Sequence, residues 1–514
     1  MENDYYSDNT NYPKSSRPVL DLPGQRSLLD NLDVPGREVR ILYVVGLFLA
    51  VLVAWVNYSI KVDEWDRSAF IPMVFSLMVL LVLWVIHKHA GRAPRNWLSP
   101  DVMFVAAFFT VHFTYIILYA FGVVPLDSEV FIAPSKVLRA TFFCICCLSA
   151  FLIGYEVIGG LFRTKASAPK LMPVAPTVIS ISKFLIIVAI VFFWTTLFAH
   201  GLQRMLTDRQ LLLNIGLKRG GRFYFVSRDI ALVSIAIYCA SSGLLHRTFM
   251  AGKVFWIFPF GYLLGLLAFG DRGGFVRIAP APIIAFHYFQ RRIKIRWVIA
   301  GTLVLFFVMG VLALTRDIVM LDIQKVTKVY IEERQTEGHN IITRTALEFG
   351  VSLKMVVAAM KFVPETHPYW YGKSYLDSLP IVVPNILPGP VRMPGGVDVW
   401  LNDVAFGHIR THGRGGSIAM EAYTNFGFIG GLLVFVLLGG FYRSLYEMFL
   451  AKPGFTETVI LMGATCGLMW WTRNTMSLYI RPLVWSTLAA LILGRLFKLS
   501  DFESDNGEEL YSDE

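Results

Sequence analysis

Charge is scarce in this chain. Asp, Glu, Lys and Arg together make up 16% of its 514 residues, while hydrophobic residues make up 55%. Apolar runs of about 20 residues, the length of helix that crosses a bilayer core, recur from one end of the sequence to the other. The core of a water-soluble protein does not need such runs, so the composition predicts an all-α, polytopic membrane protein.

Cysteine and the common cofactor motifs are scarce as well. Three of the five cysteines crowd one apolar run and the other two fall in separate runs. No spacing therefore fits a zinc site, and no pair lies in an exported loop. No Walker loop or dinucleotide fingerprint occurs in the sequence. We expect no metal site, no cofactor and no nucleic-acid partner, and we interpret the cysteines as small packing residues.

Twelve apolar runs have lengths that a tilted helix or a small mismatch with the bilayer accommodates. They cover residues 41–58, 69–86, 102–121, 137–158, 179–200, 230–245, 254–269, 275–289, 297–314, 426–450, 459–471 and 478–496. The polar residues before the first run include acids and lack the basic start and cleavage site of a removable signal peptide. We therefore expect about 12 transmembrane helices, with the first one retained.

The runs divide the chain into five parts. Residues 1–38 form a leader and residues 499–514 an acidic tail. Both are predicted to be disordered, because neither buries enough apolar surface to offset its ordering entropy. Residues 39–315 hold spans 1–9, and residues 426–498 hold spans 10–12. Residues 316–425 lie between them as the only extramembrane segment large enough for a small domain.

Basic residues orient the chain in the membrane. If the N-terminus lies inside, the short loops on the same side carry an excess of Lys and Arg, which is the positive-inside pattern. These residues are Lys88, Arg92, Arg95, Arg163, Lys165, Lys170, Arg247, Lys253, Arg291, Arg292, Lys294 and Arg296. Both termini are therefore predicted to be cytoplasmic, and residues 316–425 form a long outer loop between spans 9 and 10.

Basic residues also occur on the outer side, against this bias. They lie in residues 201–228, in the short turn GDRGGFVR at 270–277 and in the long loop. Long loops cross a membrane regardless of charge, which explains much of the last group but less of the short turn. We interpret the basic outer surface as a binding site for an anion. Its main candidates are Arg272, Arg316, Arg410 and Arg414, and Arg277 lies in the same short turn as Arg272.

The long loop changes character near residue 363. Residues 340–363 place apolar side chains at helical spacing with charged residues between them, which predicts an amphipathic helix in the membrane interface. Seven prolines between residues 364 and 394 are then expected to exclude regular structure. Tyr369, Trp370 and Tyr371 interrupt the prolines. These aromatic side chains either anchor the loop at the membrane surface or stack on a sugar ring.

A basic outer pocket at membrane depth predicts a substrate that is both lipid-embedded and anionic. A sugar linked to a polyprenyl diphosphate fits, because guanidinium groups match phosphate oxygens and the lipid tail places the site among the spans. Diphosphate is already a good leaving group. Transfer of its sugar therefore needs stabilisation of the departing charge, and one base for the attacking hydroxyl.

Residues 411–431, THGRGGSIAMEAYTNFGFIGG, supply candidates for that base. Glu421 is one, and His412 and His408 are the others, with His412 nearer to the glycines. These glycines let backbone amides approach an oxyanion, and a helix beginning near Ser417 would direct its N-terminal dipole at an anion. A structural interpretation competes, because a lone histidine is usually a surface or core group and the glutamate can pair with a neighbouring arginine.

Two further arginines lie near the last span. Arg473 sits in the short outer turn WWTRNTMS and joins the candidates for diphosphate binding. Arg481 lies inside an apolar run, where a charge costs about 2.5–3.5 kcal/mol, so it needs a partner, either Glu421 or the substrate. Two pairs of adjacent residues are candidates for structural ion pairs, namely Asp271 with Arg272 and Arg316 with Asp317.

Three motifs carry a resemblance to a known family. They are W-Y-G-K-S-Y at 370–375, I-V-V-P-N-I-L-P at 381–388 and G-R-G-G-S-I-A-M-E-A-Y-T-N-F-G-F-I-G-G at 413–431. This succession resembles the Wzy-type O-antigen polymerases of Gram-negative bacteria, which polymerise oligosaccharide repeat units of surface polysaccharides. The resemblance covers the long loop and the next span, together with the G-D-R-G-G turn. The earlier spans match only as generic hydrophobic sequence.

The resemblance implies a multi-pass enzyme of the bacterial inner membrane, related to the O-antigen ligases, with its active site in the periplasm. Such an enzyme transfers a growing glycan from undecaprenyl diphosphate to the next lipid-linked repeat unit without a metal or a nucleotide sugar. Its partners would be this lipid-linked oligosaccharide, membrane lipid and a polysaccharide chain-length regulator. The family's diphosphate-binding arginines would fall on Arg272, Arg316, Arg414 or Arg473. The base does not carry over, since the glutamate and both histidines are available.

Three other functions compete with this one. An O-antigen ligase uses the same donor but transfers the finished glycan to lipid A core. A metal-dependent lipid-linked glycosyltransferase would use the acids of DEWD at 63–66, although that loop is short for reaching a distant site. A flippase for lipid-linked oligosaccharides would line a central cavity with charges from several spans, whereas the charges here concentrate in outer loops.

Overall fold

The computed structural model describes residues 37–60, 67–90, 97–124, 134–158, 161, 176–200, 222–245, 253–268, 271–289, 293–314, 341–383, 396–407, 415–452 and 454–497. Within these ranges the regular elements are all helical, which confirms the predicted all-α class. The helices are α1 Arg37–Ile60, α2 Arg67–Ala90, α3 Pro100–Ala120, α4 Pro134–Val157, α5 Pro176–His200, α6 Arg222–Leu245, α7 Lys253–Ala268, α8 Arg272–Ile278, α9 Pro280–Phe289, α10 Ile295–Leu314, α11 Ile341–Phe362, α12 Lys373–Ser378, a 3₁₀ helix Leu379–Val382, α13 Val397–Phe406, α14 Ile418–Ala451, α15 Phe455–Trp471 and α16 Met476–Leu496.

Eight of the described helices are long and apolar enough to cross a membrane, namely α1–α6, α14 and α16. The other predicted runs fall in α7, α8 with α9, α10 and α15, so the number of about 12 spans stays a prediction. The run 275–289 does not form one continuous helix. It divides into α8 and α9 immediately before Pro280, whose ring nitrogen cannot donate a helical hydrogen bond.

Buried apolar side chains form two clusters. The first is built mainly by α1–α4, α11 and the first half of α14. The second is built mainly by α5–α9, α15 and the end of α14. Since α14 places Phe435 in the first cluster and Phe449 in the second, this long helix joins the two halves of the bundle. All five cysteines are buried thiols without disulfide bonds.

Glycines set the distance between α4 and α14. A Cβ atom on Gly154 would overlap the backbone of Val436, and one on Gly439 would overlap the backbone at Phe151 and Tyr155. Both positions therefore require glycine if the two backbones are to touch, as in other closely packed membrane helices. This contact fixes the position of α14, which carries Glu421 in its first turn.

Helix α11 is where the sequence predicted an amphipathic helix. Its central residues, from Leu353 to Met360, are buried around most of the helix, because α3, α4, α10 and α14 pack against it. Its predicted place in the membrane interface stays a prediction. The proline-rich stretch after α11 is more regular than expected. Residues 373–382 lie between Pro368 and Pro384, and they form α12 and the 3₁₀ helix, with Pro380 in the first turn of the 3₁₀ helix.

Candidate active site

Several helix ends meet at one end of the bundle. The first turns of α8 and α14 lie there, together with the turn 472–475 between α15 and α16. Helix α14 begins after Ser417, as predicted. The Oγ atom of Ser417 accepts hydrogen bonds from the backbone nitrogens of Ala419 at 3.1 Å and Met420 at 3.4 Å. The Nε2 atom of His112 in α3 lies 2.6 Å from the same Oγ atom, so a neighbouring helix holds this cap in place.

Arg272 and Arg473 converge on a single carboxylate oxygen. Their Nη2 atoms lie 3.2 Å and 2.6 Å from Oε1 of Glu348, in α11. The three side chains are only partly exposed. The two arginines come from distant parts of the chain, and both were predicted to bind diphosphate. One oxygen held between two guanidinium groups is the arrangement that also suits a phosphate oxygen.

A second group of charges lies around Asp229 in α6. Its Oδ2 atom is 3.1 Å from Nη1 of Arg481, and its Oδ1 atom pairs with Nη2 of Arg277. The Nε atom of Arg481 also donates to the carbonyl oxygen of Ile381 at 2.8 Å. The sequence predicted a partner for Arg481 and offered Glu421 or the substrate. The partner in the structure is Asp229, 252 positions away in the chain.

Asp271 pairs with Arg228 rather than with its neighbour Arg272. Its Oδ2 atom accepts from Nη1 of Arg228 at 2.8 Å and from the hydroxyl of Tyr224 at 2.7 Å, while Oδ1 accepts from the backbone nitrogen of Gly274 at 2.9 Å. The predicted Asp271–Arg272 pair is therefore wrong, because Asp271 caps α8 and turns towards α6. Burial raises the pKa of Asp271, but Arg228 and the hydrogen bonds outweigh it, so the pKa lies below its usual range.

Two carboxylates of this cluster are each shared by two arginines. Among the described residues, Arg272 and Arg473 share Glu348, Arg277 and Arg481 share Asp229, and Arg228 pairs with Asp271. Arg277 lies close enough to Arg228 and Arg481 for mutual repulsion. In the described part of the chain, the buried Nε atoms of Arg228 and Arg277 find no hydrogen-bond acceptor. Because each of two carboxylates is shared by two guanidinium groups, the cluster is suited to bind an anion.

Glu421 is completely enclosed, with 0% of its surface exposed. Its Oε1 atom accepts from the hydroxyl of Ser374 at 2.8 Å. Its Oε2 atom accepts from the backbone nitrogen of Met476 at 2.8 Å and from the indole nitrogen of Trp471 at 3.4 Å. No salt bridge reaches Glu421 within the described ranges. Its carboxylate therefore ties α14 to α12 and to the turn that precedes α16.

Asp398, in the first turn of α13, is a second carboxylate of the site and was not predicted. Its Oδ1 atom accepts from the hydroxyl of Thr475 at 3.2 Å, one residue before the partner of Glu421. A Cβ atom on Gly416 would lie 3.2 Å from Cβ of Asp398, so the carboxylate borders the glycine loop. Burial raises the pKa of Asp398 above its usual range, and the hydrogen bonds from its own backbone nitrogen, from Thr475 and from the backbone nitrogen of Val399 only partly offset this.

The predicted glycan-binding aromatics run beside the start of α14. Helix α14 is kinked at Gly427, where φ is 69°. Because this kink interrupts the helical hydrogen bonds, the carbonyls of Thr424 and Asn425 accept from the backbone nitrogens of Trp370 at 3.1 Å and Tyr371 at 2.9 Å. The ring of Tyr369 packs on Gly427, and the ring of Tyr371 is 77% exposed. Of the three rings, that of Tyr371 has the most free surface for a ligand.

Five of the predicted site residues lie outside the described residues, namely His408, His412, Arg316, Arg410 and Arg414. Their assignments stay predictions, as does the pairing of Arg316 with Asp317. Four of these residues lie in 408–414, and the residues on either side of that segment are described. Gly407 closes α13, and the backbone nitrogen of Gly416 donates to the carbonyl oxygen of Arg473 at 3.1 Å. The loop therefore returns to the chain beside an arginine of the cluster.

Sequence reasoning missed three acidic residues of the site, Glu348, Asp229 and Asp398. Glu348 stood out only as one of the charged residues between the apolar positions of α11. Asp229 follows Arg228 inside the apolar stretch FYFVSRDIALV, where an acid is as costly as an arginine. Considering both charges together would have identified it as a partner for a basic residue in another span. Asp398 gave no such signal, because an acid in the first turn of a short helix is common. Only its position beside Gly416 and Thr475 distinguishes it.

The structure also bears on metal binding. Among the described residues, no group of three or more His, Cys, Asp and Glu side chains is placed to hold a metal ion. The DEWD acids, on which the metal-dependent alternative rests, fall outside the described ranges.

Fold and site together define a multi-pass membrane protein with a buried arginine cluster at one end of its bundle. The chain belongs to the O-antigen polysaccharide polymerase Wzy family, whose sequence model matches residues 40–500. This confirms the resemblance stated from the motifs, and it assigns the protein a general role as an O-antigen polymerase in lipopolysaccharide biosynthesis, with a lipid-linked oligosaccharide as substrate. Comparison with curated proteins and with solved structures gave no match.

Proposed function

We propose that this protein joins lipid-linked repeat units of an O-antigen type polysaccharide by glycosyl transfer from an undecaprenyl diphosphate-linked glycan to a lipid-linked repeat unit. The observation that supports this most is that two guanidinium groups from distant parts of the chain, those of Arg272 and Arg473, share one oxygen of Glu348. A diphosphate diester carries a negative charge on each phosphate, so one of its oxygens can take the place of the Glu348 oxygen between the two arginines.

The arginines act on the leaving group. Arg272 and Arg473 release the Glu348 oxygen and bind the diphosphate in its place, and Arg316, Arg410 and Arg414 are proposed to join them. When the bond between the anomeric carbon and the phosphate oxygen breaks, its electrons leave with the lipid diphosphate. Fixed guanidinium groups stabilise that charge in a water-poor site without having to reorient.

The acceptor sugar brings the attacking hydroxyl, and a base must take its proton. Glu421, His412 and His408 are the candidates from the sequence for this role. Trp370 and Tyr371, with Tyr369 behind them, are proposed to contact the glycan, since aromatic rings pack against the apolar faces of sugars.

The proposed topology follows from the loop charges. The chain has about 12 spans in the bacterial inner membrane, both termini lie in the cytoplasm, and residues 316–425 with the active site lie in the periplasm. The polymerase acts without a metal ion. A polysaccharide chain-length regulator is proposed as a partner in the same membrane.

Extension of a defined lipid-linked repeat unit by the purified protein in liposomes tests the proposal. The wild type should give a ladder of products with increasing numbers of repeats. Arg272→Ala, Arg473→Ala and Arg414→Ala should each abolish long products while the protein still enters the membrane. Arg495→Ala, at the exposed far end of α16, is the matched control and should keep the ladder.

Two results would contradict the proposal. Transfer of a finished glycan to lipid A core, without extension of the repeat unit, would identify a ligase. Movement of lipid-linked sugar across the liposome membrane without lengthening would identify a flippase. If all three arginine variants keep full ladders, the diphosphate site lies elsewhere.

A further inference from the structure

Two carboxylates accept hydrogen bonds from consecutive residues at the turn between α15 and α16. Asp398 binds the hydroxyl of Thr475, and Glu421 binds the backbone nitrogen of Met476. We infer that Asp398 takes the proton from the attacking hydroxyl, and that Glu421 is a positioning residue that holds the turn. The inference rests on the proposed function, and it assigns the two carboxylates different roles.

Glu421 is poorly placed to meet a substrate. Both of its oxygens are engaged by donors from Ser374, Trp471 and Met476, and none of its surface is exposed. A sugar hydroxyl would have to displace at least one of these donors. The same three contacts join α12, α15 and α16 to the first turn of α14, so they are suited to fixing the position of the turn that carries Arg473.

Asp398 has what a general base needs. The residue is partly exposed, and no salt bridge reaches its carboxylate in the described part of the chain. The carboxylate accepts from the hydroxyl of Thr475 and from the backbone nitrogens of Asp398 and Val399. A carboxylate paired with arginine would be a weaker base, because the cation stabilises its charged form. Burial raises the pKa of Asp398, which makes its carboxylate a better proton acceptor than an ordinary surface aspartate.

Gly416 places Asp398 beside the turn that carries Arg473. The backbone nitrogen of Gly416 donates to the carbonyl oxygen of Arg473, and a Cβ atom on Gly416 would lie 3.2 Å from both Cβ of Asp398 and Cγ2 of Thr475. Asn402, one turn after Asp398, donates to the carbonyl of Gly415 at 3.4 Å and holds α13 against the same loop. Cβ of Asp398 and the backbone carbonyl of Arg473 therefore both lie next to Gly416.

Glycosyl transfer can be written as a balanced step in which Asp398 is the base. The acceptor oxygen forms a bond to the anomeric carbon of the donor sugar as its proton passes to an oxygen of Asp398. The bond between that carbon and the diphosphate oxygen breaks, and its electrons leave with the lipid diphosphate held by Arg272 and Arg473. The proton on Asp398 then passes to water, which restores the carboxylate for the next transfer.

Variants of the full-length protein in liposomes test the assignment. Asp398→Asn should lower kcat about 100-fold or more, since general bases contribute on that scale, with little change in KM for the donor. Asp398→Glu should restore part of the rate. Asp377→Asn, on the neighbouring helix α12, is the matched control and should keep the wild-type rate.

A binding measurement separates the two carboxylates. Asp398→Asn should bind undecaprenyl diphosphate within about twofold of the wild type and should melt no lower than the wild type, because a general base does not hold the leaving group. Glu421→Gln should lower both the melting temperature and the affinity for this lipid, because the turn that carries Arg473 loses its support.

The outcomes distinguish the inference from the proposed function. If the wild type makes no ladder, the proposed function fails. If the wild type makes a ladder and Asp398→Asn keeps full kcat, only the assignment of Asp398 is overturned. A loss of kcat in Glu421→Gln with unchanged melting temperature and lipid affinity would move the role of base to Glu421.

Discussion

Arg473 links three parts of the site within a short turn. Its carbonyl oxygen accepts from Gly416, its guanidinium group binds Glu348, and the residues that follow it carry the partners of both Asp398 and Glu421. Lysine would keep the charge, but a single ammonium group lacks the planar set of donors that can hold an oxygen and still contact a second one. At this position the shape of the cation matters as much as its charge.

The two aspartates of the site should have opposite effects on stability as pH changes. The pKa of Asp271 is lowered, so its stabilising effect is present above the ordinary range for aspartate and is lost as pH falls through its folded value. The pKa of Asp398 is raised, so its contribution is present at low pH and is lost as pH rises through its folded value. At neutral pH we expect Asp271→Asn to melt below the wild type and Asp398→Asn to melt at or above it.

Melting temperatures in one detergent from acid to neutral pH would measure both effects. Each difference from the wild type should shrink in acid, where the aspartates of the wild type are themselves protonated. A lower melting temperature for Asp398→Asn at neutral pH would contradict the expectation. Gain of stability with loss of activity is typical of residues kept for function, so this result would also bear on the role of Asp398 in catalysis.

At the scale of the helices, the contact between α4 and α14 should tolerate no side chain. Gly439→Ala should destabilise the protein by about 1–3 kcal/mol, because its Cβ atom would meet backbone atoms that cannot move aside. Gly261→Ala is the matched control, since nothing lies within 4 Å of the new methyl group. It should be neutral or stabilising by up to about 1 kcal/mol. Thermal melting of both variants compares them, and equal melting temperatures would mean that the helices are less closely packed than described.

Much of the helical structure could be predicted from the sequence, because apolar runs and end signals are local. The start of α14 after Ser417 and the helix at Ile341–Phe362 were both predicted within a residue or two. The break before Pro280 was missed, since average hydropathy does not register one absent backbone donor. The short helices after α11 were missed for the opposite reason. Spacing between prolines, rather than their number, decides whether one helical turn fits.

The site was less predictable than the helices, because its contacts join residues far apart in the chain. Local sequence indicated that Arg272 and Arg473 bind an anion, and both lie in the cluster. It could not reveal that Glu348 holds them or that Asp229 holds Arg481. Adjacency in the sequence suggested a pair of Asp271 with Arg272. In the structure the two side chains point towards different helices, Asp271 to Arg228 in α6 and Arg272 to Glu348 in α11. Ion pairs in a bundle follow helix packing, which one sequence does not specify.

At the scale of the whole molecule, the proposed orientation predicts which segments are exported. Alkaline phosphatase inserted in residues 201–221 or 316–340 should be active, because this enzyme folds only outside the cytoplasm. Green fluorescent protein fused after residue 514 should fluoresce, because it folds in the cytoplasm. Both expectations follow from the excess of basic residues in the opposite loops.

Exchanging the two reporters at each position is the control, and it should silence both signals. A fluorescent insertion at residues 201–221 or 316–340 would place the basic segments in the cytoplasm. The arginine cluster would then face the wrong leaflet for polymerisation in the periplasm, and the proposed orientation would fail.

Residues 370–383 are fastened at both ends. At one end their backbone bonds to Thr424 and Asn425 of α14, and at the other the side chains of Arg481 and Trp485 in α16 hold the carbonyls of Ile381 and Val382. These four hydrogen bonds tie residues 370–383 to both helices, so we expect this segment to keep its place beside them. Under the proposed function, the carrier lipid would then enter and leave by lateral movement in the bilayer, without displacement of this segment.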